Sequence, residues 1–172
     1  MRLAQPAWPR FLPRDLVLAV ATLGPLGRRL PAPGTWGSAA GMLYFALFFQ
    51  RVGIGATLAV TVVVAYLAVA FCGEAELRLR KKDPGEIILD EVIVMPLCFL
   101  GWRMLLDAAP AWLLWLAGFA LFRLYDIFKP LGISRLQALP GGWGVVADDV
   151  AAALAACATL HIAVWLWSRA GL

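Results

Sequence analysis

Residues 81–100 read KKDPGEIILDEVIVMPLCFL, and the reading of this stretch decides the fold. Asp83, Glu86, Asp90 and Glu91 are four of the chain's eleven acidic residues, and they run straight into an apolar segment. That segment, Val92–Trp102, holds 11 uncharged residues. It reaches the length of a membrane crossing only if the helix begins back at Pro84, with the acids inside its first turns.

The rest of the chain supports a membrane reading. Uncharged runs cover Leu30–Gln50, Val52–Gly73, Ala108–Phe122 and Val150–Ser168, with 21, 22, 15 and 19 residues. A crossing helix needs about 20 apolar residues. The 172-residue chain is 62% hydrophobic and 15% charged, and its mean hydropathy is +0.80. That lies beyond ordinary globular usage. A soluble all-α domain with a very apolar core fits four such runs poorly. A barrel would need alternating strands, and lipid leaves no backbone group unsatisfied. The expected fold is an all-α polytopic membrane bundle of about five spanning helices.

DLVLAVATLG (15–24) is too short to cross, so it predicts an N-terminal interfacial or re-entrant helix. Arg10 and Arg14 before it resemble the start of a signal peptide. No convincing cleavage site follows, so the segment is expected to stay attached. Residues 1–30 thus form an N-terminal segment ahead of a membrane domain over 31–172.

The net charge of +4 is locally biased. Arg2, Arg10, Arg14, Arg28 and Arg29 precede the first span. Arg78, Arg80, Lys81 and Lys82 follow the second, and Arg123, Lys129 and Arg135 lie at or after the end of the fourth. The positive-inside rule puts the N-terminus and the 74–91 and 123–149 segments in the cytoplasm. Topology accounts for these charges, so no nucleic-acid partner is expected. Cys72, Cys98 and Cys157 lack metal-ligand spacing and read as small buried hydrophobes. His161, the single histidine, reads as a packing or hydrogen-bonding group inside the last span.

Four polar stretches can carry chemistry. In PAPGTWGSAAG (31–41), Thr35 can cap a helix start, and Gly34 and Gly37 let backbone approach a phosphate. GSAAG reads equally as a packing face. In DPGEIILDE (83–91), Asp83, Pro84 and Glu86 resemble a capping box. On a helix, 83, 86 and 90 share one face. Asp90 and Glu91 remain unexplained by capping, and carboxylates at that depth are costly unless paired or bound to a cation. In RLYDIFKP (123–130), Arg123, Asp126 and Lys129 either pair with each other or offer two cations to a phosphate. GGWGVVADDV (141–150) reads as a flexible loop ending in the pair Asp148 and Asp149, more acid than one cap requires. All of these groups fall on one membrane side. They suit a carboxylate–metal–phosphate site, with Mg²⁺ as the hard cation.

PAPGTWGS, DPGEIILDE, FRLYDIFKP and GGWGVVADD together resemble the phosphatidylglycerophosphatase A family of bacterial membrane lipid phosphatases. They occur in the family's order and cover most of residues 31–155. The chain departs from the family's pattern at Val94 and Ala152, near positions where a glycine is frequent, which bears on helix packing.

The resemblance implies Mg²⁺-dependent hydrolysis of phosphatidylglycerol phosphate, at a cytoplasm-facing site in the bacterial inner membrane. It carries over to Thr35, Asp83, Asp90, Glu91, Arg123, Asp126, Lys129, Asp148 and Asp149. The roles expected are metal binding by Asp90, Glu91, Asp148 and Asp149, and phosphate binding by Thr35, Arg123 and Lys129. Asp83 or Asp126 would be base or nucleophile. Other phosphatase chemistries lack their residues: no cysteine sits in a reactive setting, one histidine is too few, and no Asp-x-Asp occurs. Two other readings stand beside the enzyme. A small ion or proton carrier would place its acids near mid-membrane. A structural membrane protein would use the acids only as caps and salt bridges.

Overall fold

The computed structural model describes residues 4–169, so Arg2 of the expected basic N-terminus lies outside it. The described residues form eight α-helices: α1 (Arg14–Ala21), α2 (Pro25–Arg29), α3 (Pro33–Phe48), α4 (Ile54–Leu79), α5 (Leu89–Cys98), α6 (Trp102–Leu106), α7 (Ala111–Phe128) and α8 (Gly142–Arg169). Two 3-10 turns, Trp8–Phe11 and Ile133–Ala138, complete the list, and no strand occurs among these residues. The expected all-helical class is what the chain adopts.

Among the described residues, three helices are long and apolar enough to cross a membrane: α4, α7 and α8. Only 28%, 17% and 28% of their apolar windows is buried in the protein. The remainder, including Val62 and Val63 of α4, Trp112 and Leu116 of α7 and Ile162 and Trp165 of α8, is exposed. Apolar belts of that extent fit lipid. The other two expected crossings are α3 and the stretch through α5. With 16 residues α3 is about 24 Å long, and with 10 residues α5 is about 15 Å, against a hydrocarbon thickness of about 30 Å.

Helix α5 is the centre of the bundle. Every residue from Asp90 to Cys98 is buried, and α3, α4 and α8 pack around it. This explains why VIVMPLCFL is apolar on all sides: a helix covered all round has no polar face to show. The approach of α3 to α5 depends on small residues. A Cβ on Gly41 would stand 2.8 Å from that of Met95. Further along, Phe45 stacks on Phe99 with ring centroids 4.8 Å apart, and Trp102 and Trp115 close the cluster. Helix α1 adds Val17, Leu18 and Ala21 to the same core. His161 makes a 2.7 Å hydrogen bond with the Leu100 carbonyl, the bonding role expected of it. The three cysteines are free and buried.

Two helix boundaries differ from expectation. No helix starts at Asp83, and the capping box is absent. Asp83 has φ +46, outside the right-handed helical region. The Ile87 N–H closes a turn onto the Pro84 carbonyl, and the Ile88 N–H bonds to Ala21 of α1. Helix α5 therefore begins at Leu89, with Asp90 and Glu91 in its first turn. There they face the positive end of the helix dipole. The second difference is at GGWG, which is not a flexible loop. Helix α8 already begins at Gly142, where a Cβ would stand 1.9 Å from the Val69 carbonyl oxygen of α4. The glycine there serves close helix contact. Asp148 and Asp149 consequently sit inside α8, past any capping position.

Candidate active site

One cavity of about 340 Å³ gathers the polar stretches. Its wall includes Ala32, Pro33 and Gly34 at the start of α3, Asp83 and Gly85 in the connection before α5, and Asp90 and Glu91 of α5. Arg123, Asp126 and Lys129 come from the end of α7, and Asp148 and Asp149 from α8. Eight of the nine expected site residues therefore meet. Thr35 does not join them: its side chain is exposed, it lines no part of this cavity, and it makes no capping bond. Pro33 and Gly34 already occupy the helix start, and the turn to Thr35 carries its side chain away.

The ion pairs cross between helices. The Arg123 guanidinium reaches Asp126 at 2.6 Å, Glu91 at 3.1 Å and the Ser38 hydroxyl at 3.4 Å through the same nitrogen. Lys129 donates to Asp148 of α8 and lies 4.0 Å from Asp126. The Arg–Asp–Lys set of α7 is thus paired internally, and each cation also reaches another helix. Ser38 escaped the sequence reading. It is fully buried and donates to Glu91 Oε2 at 2.6 Å. The available signal was its position four residues after Gly34, on the same face of α3.

Asp90 and Glu91 lie outside the three long apolar helices. Burial pushes the Glu91 carboxyl up to about 7, against the pull of the Ser38 hydroxyl and Arg123. Burial also raises Asp90 well above the ordinary carboxylate range, and the neighbouring Glu91 charge adds to it. Lys129 loses basicity to burial and regains more from its bond to Asp148, so its net shift is upward.

Three features distinguish this cavity from a set of salt bridges. Six carboxyl groups line it against the two cations Arg123 and Lys129. Asp90 Oδ1 and Asp148 Oδ1 are buried with no hydrogen-bond partner. Ala32, Asp83 and Lys129 all have left-handed backbone, with φ of 50°, 46° and 44°. Such conformations cost of order 1–3 kcal/mol each and persist where the surroundings hold them.

The donor set fits a hard divalent cation. It is all oxygen, it carries excess negative charge, and two of its oxygens lack a partner. Among the described residues no three carboxylate, cysteine or histidine side chains are grouped so as to hold a metal ion by themselves. A Mg²⁺ ion here would therefore rest on one or two of these carboxylates, its own waters and substrate phosphate.

Comparison with known proteins finds relatives along most of the chain. The family model for phosphatidylglycerophosphatase A matches residues 19–164. A phosphatidylglycerophosphatase A of Haemophilus influenzae is 35% identical over 140 residues, covering 79% of this chain and 82% of the relative. A Bacteroides thetaiotaomicron protein, provisionally named a phosphatidylinositol-3-phosphatase, is 32% identical over 143 residues, covering 78% and 85%. A phosphatidylglycerophosphatase A of Escherichia coli is 28% identical over 142 residues, covering 78% and 76%. No solved structure gives a significant match.

Proposed function

The chain belongs to the phosphatidylglycerophosphatase A family, which makes it a phosphatase, and from that premise we propose that it hydrolyses phosphatidylglycerol phosphate to phosphatidylglycerol and phosphate. The observation that carries the mechanism is the imbalance of six carboxyl groups against two cations around one cavity. A phosphate monoester is itself an anion, and like charges at this separation repel strongly in a poorly hydrated site. Cations must enter with it or before it. We therefore assign Mg²⁺ to the cavity, with its one or two carboxylate ligands drawn from Asp90, Glu91, Asp148 and Asp149. When bound, it offsets phosphoryl charge and lowers the pKa of an attached water.

The chain's own residues supply the rest. Arg123 and Lys129 present their charges to the non-bridging phosphate oxygens, exchanging part of their present pairing with Asp126, Glu91 and Asp148. The first turn of α3 adds the Gly34 backbone N–H and the positive end of its dipole. Asp126 is engaged by both cations, and it holds them in place. Among the described residues Asp83 meets only the neutral Gln137 amide through its side chain, at 2.9 Å. That leaves Asp83 the freer of the two to accept a proton from water or to attack phosphorus.

We assign this end of the bundle to the cytoplasmic face of a bacterial inner membrane, a reading supported by the bias of Lys and Arg to that side. The lipid tails would then run along the exposed apolar flanks of α4, α7 or α8. The gathering of ionisable groups at one end of the bundle disfavours an ion or proton carrier, which would spread them through the membrane. The Bacteroides relative favours one second reading, the same chemistry on another phosphorylated lipid.

The test is phosphate release by the detergent-purified chain from phosphatidylglycerol phosphate and from phosphatidylinositol 3-phosphate, with Mg²⁺ and with chelator. Release from the first lipid alone, abolished by chelator, is the expected result. Release only from the inositol lipid moves the substrate, and activity indifferent to chelator sinks the metal assignment.

A further inference from the structure

Glu76 belongs to none of the four polar stretches, yet the fold brings it to the site. It stands three residues before the end of α4, and it is 8% exposed. Glu74, two residues earlier, is neutralised by Arg78 at 2.7 Å. Glu76 forms no ion pair among the described residues. Its one side-chain hydrogen bond there is accepted by Oε1 from the backbone N–H of Asp83, at 2.6 Å. A buried carboxylate with a single partner is costly, and a short bond from a backbone N–H to a charged acceptor is among the stronger ones.

The residue so held is the one that most needs holding. Asp83 lines the cavity with a left-handed backbone, φ +46, which a non-glycine residue adopts only at a cost of about 1–2 kcal/mol. A second contact reaches it from the other side of the chain. Gln137, in the 3-10 turn Ile133–Ala138, donates from Nε2 to Asp83 Oδ2 at 2.9 Å. One hold fixes the backbone and the other fixes the carboxylate. They come from two elements that otherwise contribute nothing to the cavity wall.

We infer that Glu76 is a positioning residue, which with Gln137 sets the Asp83 carboxylate in its working orientation. The inference rests on the reading of Asp83 as a group acting on the substrate. Glu76 touches neither substrate nor metal; it acts through the Asp83 amide. The property that matters is an acceptor oxygen at that point, which glutamine also supplies and alanine does not.

The experiment uses the full chain in detergent, with Glu76→Ala and Glu76→Gln compared in phosphate release from phosphatidylglycerol phosphate and in amide hydrogen exchange over residues 80–88. Losing a hydrogen bond to a charged group is worth roughly 1.5–3 kcal/mol, so Glu76→Ala is expected to lower kcat by about 10- to 100-fold. KM should stay within about twofold, because the phosphate contacts remain. Exchange at the Asp83 amide should speed up by a similar factor. Glu76→Gln should restore kcat to within about threefold and slow the exchange again.

Unchanged kcat and exchange in Glu76→Ala would overturn the inference, and so would a Glu76→Gln as impaired as the alanine variant. If Glu76→Ala is not recovered folded, Gln137→Ala removes the second hold from a half-buried position. It is expected to lower kcat about tenfold with KM kept, and an unchanged kcat there overturns the inference. Wild-type chain that releases no phosphate from this lipid defeats the functional reading alone. Exchange over 80–88 still decides whether Glu76 holds Asp83.

Discussion

Helices α3 and α5 meet along one seam whose two ends use opposite residue types. At the first end, Gly34, Gly37 and Ser38 lie against Glu91, and a Cβ on Gly34 would stand 2.5 Å from Glu91 Oε1 and 3.0 Å from Arg123 Nη1. About 17 Å along α3, at 1.5 Å per residue, Phe45 stacks on Phe99. There Gly118 of α7 gives the aromatic rings room, since a Cβ on it would stand 2.4 Å from Phe99 Cε1. The charged end keeps a cavity, partnerless carboxylate oxygens and strained backbone, all of which cost stability. The aromatic end contributes buried rings in edge and offset contact, worth about 0.5–1.5 kcal/mol per pair beyond their area. The costly end exists because the other end holds the same two helices together.

The comparison predicts that substitutions at the two ends fail in different ways. The largest effect belongs to Asp90→Asn. It keeps shape and removes one charge from the pair that capping cannot explain. Phosphate release is expected to fall about 1,000-fold, on the scale of losing a main electrostatic contributor, about 4 kcal/mol. Thermal stability without Mg²⁺ should hold or rise, because a buried carboxyl whose anion is disfavoured by burial and by Glu91, with Oδ1 unpartnered, becomes a neutral amide. A variant retaining more than about a tenth of wild-type activity would remove Asp90 from the metal set.

Next comes Gly118→Ala. Its methyl group meets the ring of Phe99, which is wedged among Phe45, Trp102 and Trp115 and cannot swing aside. Overpacking of this kind costs about 1–3 kcal/mol. The melting temperature should drop while kcat of the folded enzyme stays within about twofold. A variant with normal stability and poor kcat would show that the aromatic end reaches the chemistry.

These two ends were not equally legible in the sequence. Asp90 and Glu91 stood out because acids inside an apolar run demand a reason, and the reason proved to be a shared cavity. Asp126, Lys129 and Asp148 were visible as motif members, but the ion pair from Lys129 to α8 depends on how the helices pack. The capping box failed because Asp83–Glu86 has the right spacing for a helix start, while the chain is held by contacts from outside the stretch: Glu76 from the preceding helix, and Ala21 and Gln137 from far along the chain. Local spacing cannot report them. Helix α5 looked like half a crossing and is the covered centre of the bundle. An all-round apolar helix reads alike in lipid and in a protein core. Ser38 was hidden in a small-residue run whose packing role is also real.

Gly34→Ala inverts the pattern of Gly118→Ala. The atoms its methyl group meets are the tips of Glu91 and Arg123, the far ends of long side chains that give way more readily than the wedged Phe99 ring, so the loss of stability should be smaller than in Gly118→Ala. Moving them pulls apart the contact among Glu91, Arg123 and Ser38. A displacement on the order of 1 Å in a catalytic constellation costs activity steeply, and about a tenfold loss of kcat/KM is expected here. Loss of stability with normal kcat/KM would mean that Gly34 serves helix packing only.

The smallest effect separates motif membership from geometry. Thr35 lies in PAPGTWGS, beside residues that form the cavity wall, and the family resemblance assigns it to phosphate binding. Its side chain is exposed and lines no part of the cavity, and the α3 start is capped by no side chain. Its backbone N–H is bonded to Ala32 at 2.9 Å, a contact that alanine keeps. Thr35→Ala should therefore leave kcat/KM within about twofold and stability within about 0.5 kcal/mol, the range of an ordinary surface change. A tenfold loss would require the α3 start to turn when substrate binds, bringing the hydroxyl into the cavity. The charged end would then be a site assembled by its ligand, and only the aromatic end of the seam would be fixed beforehand.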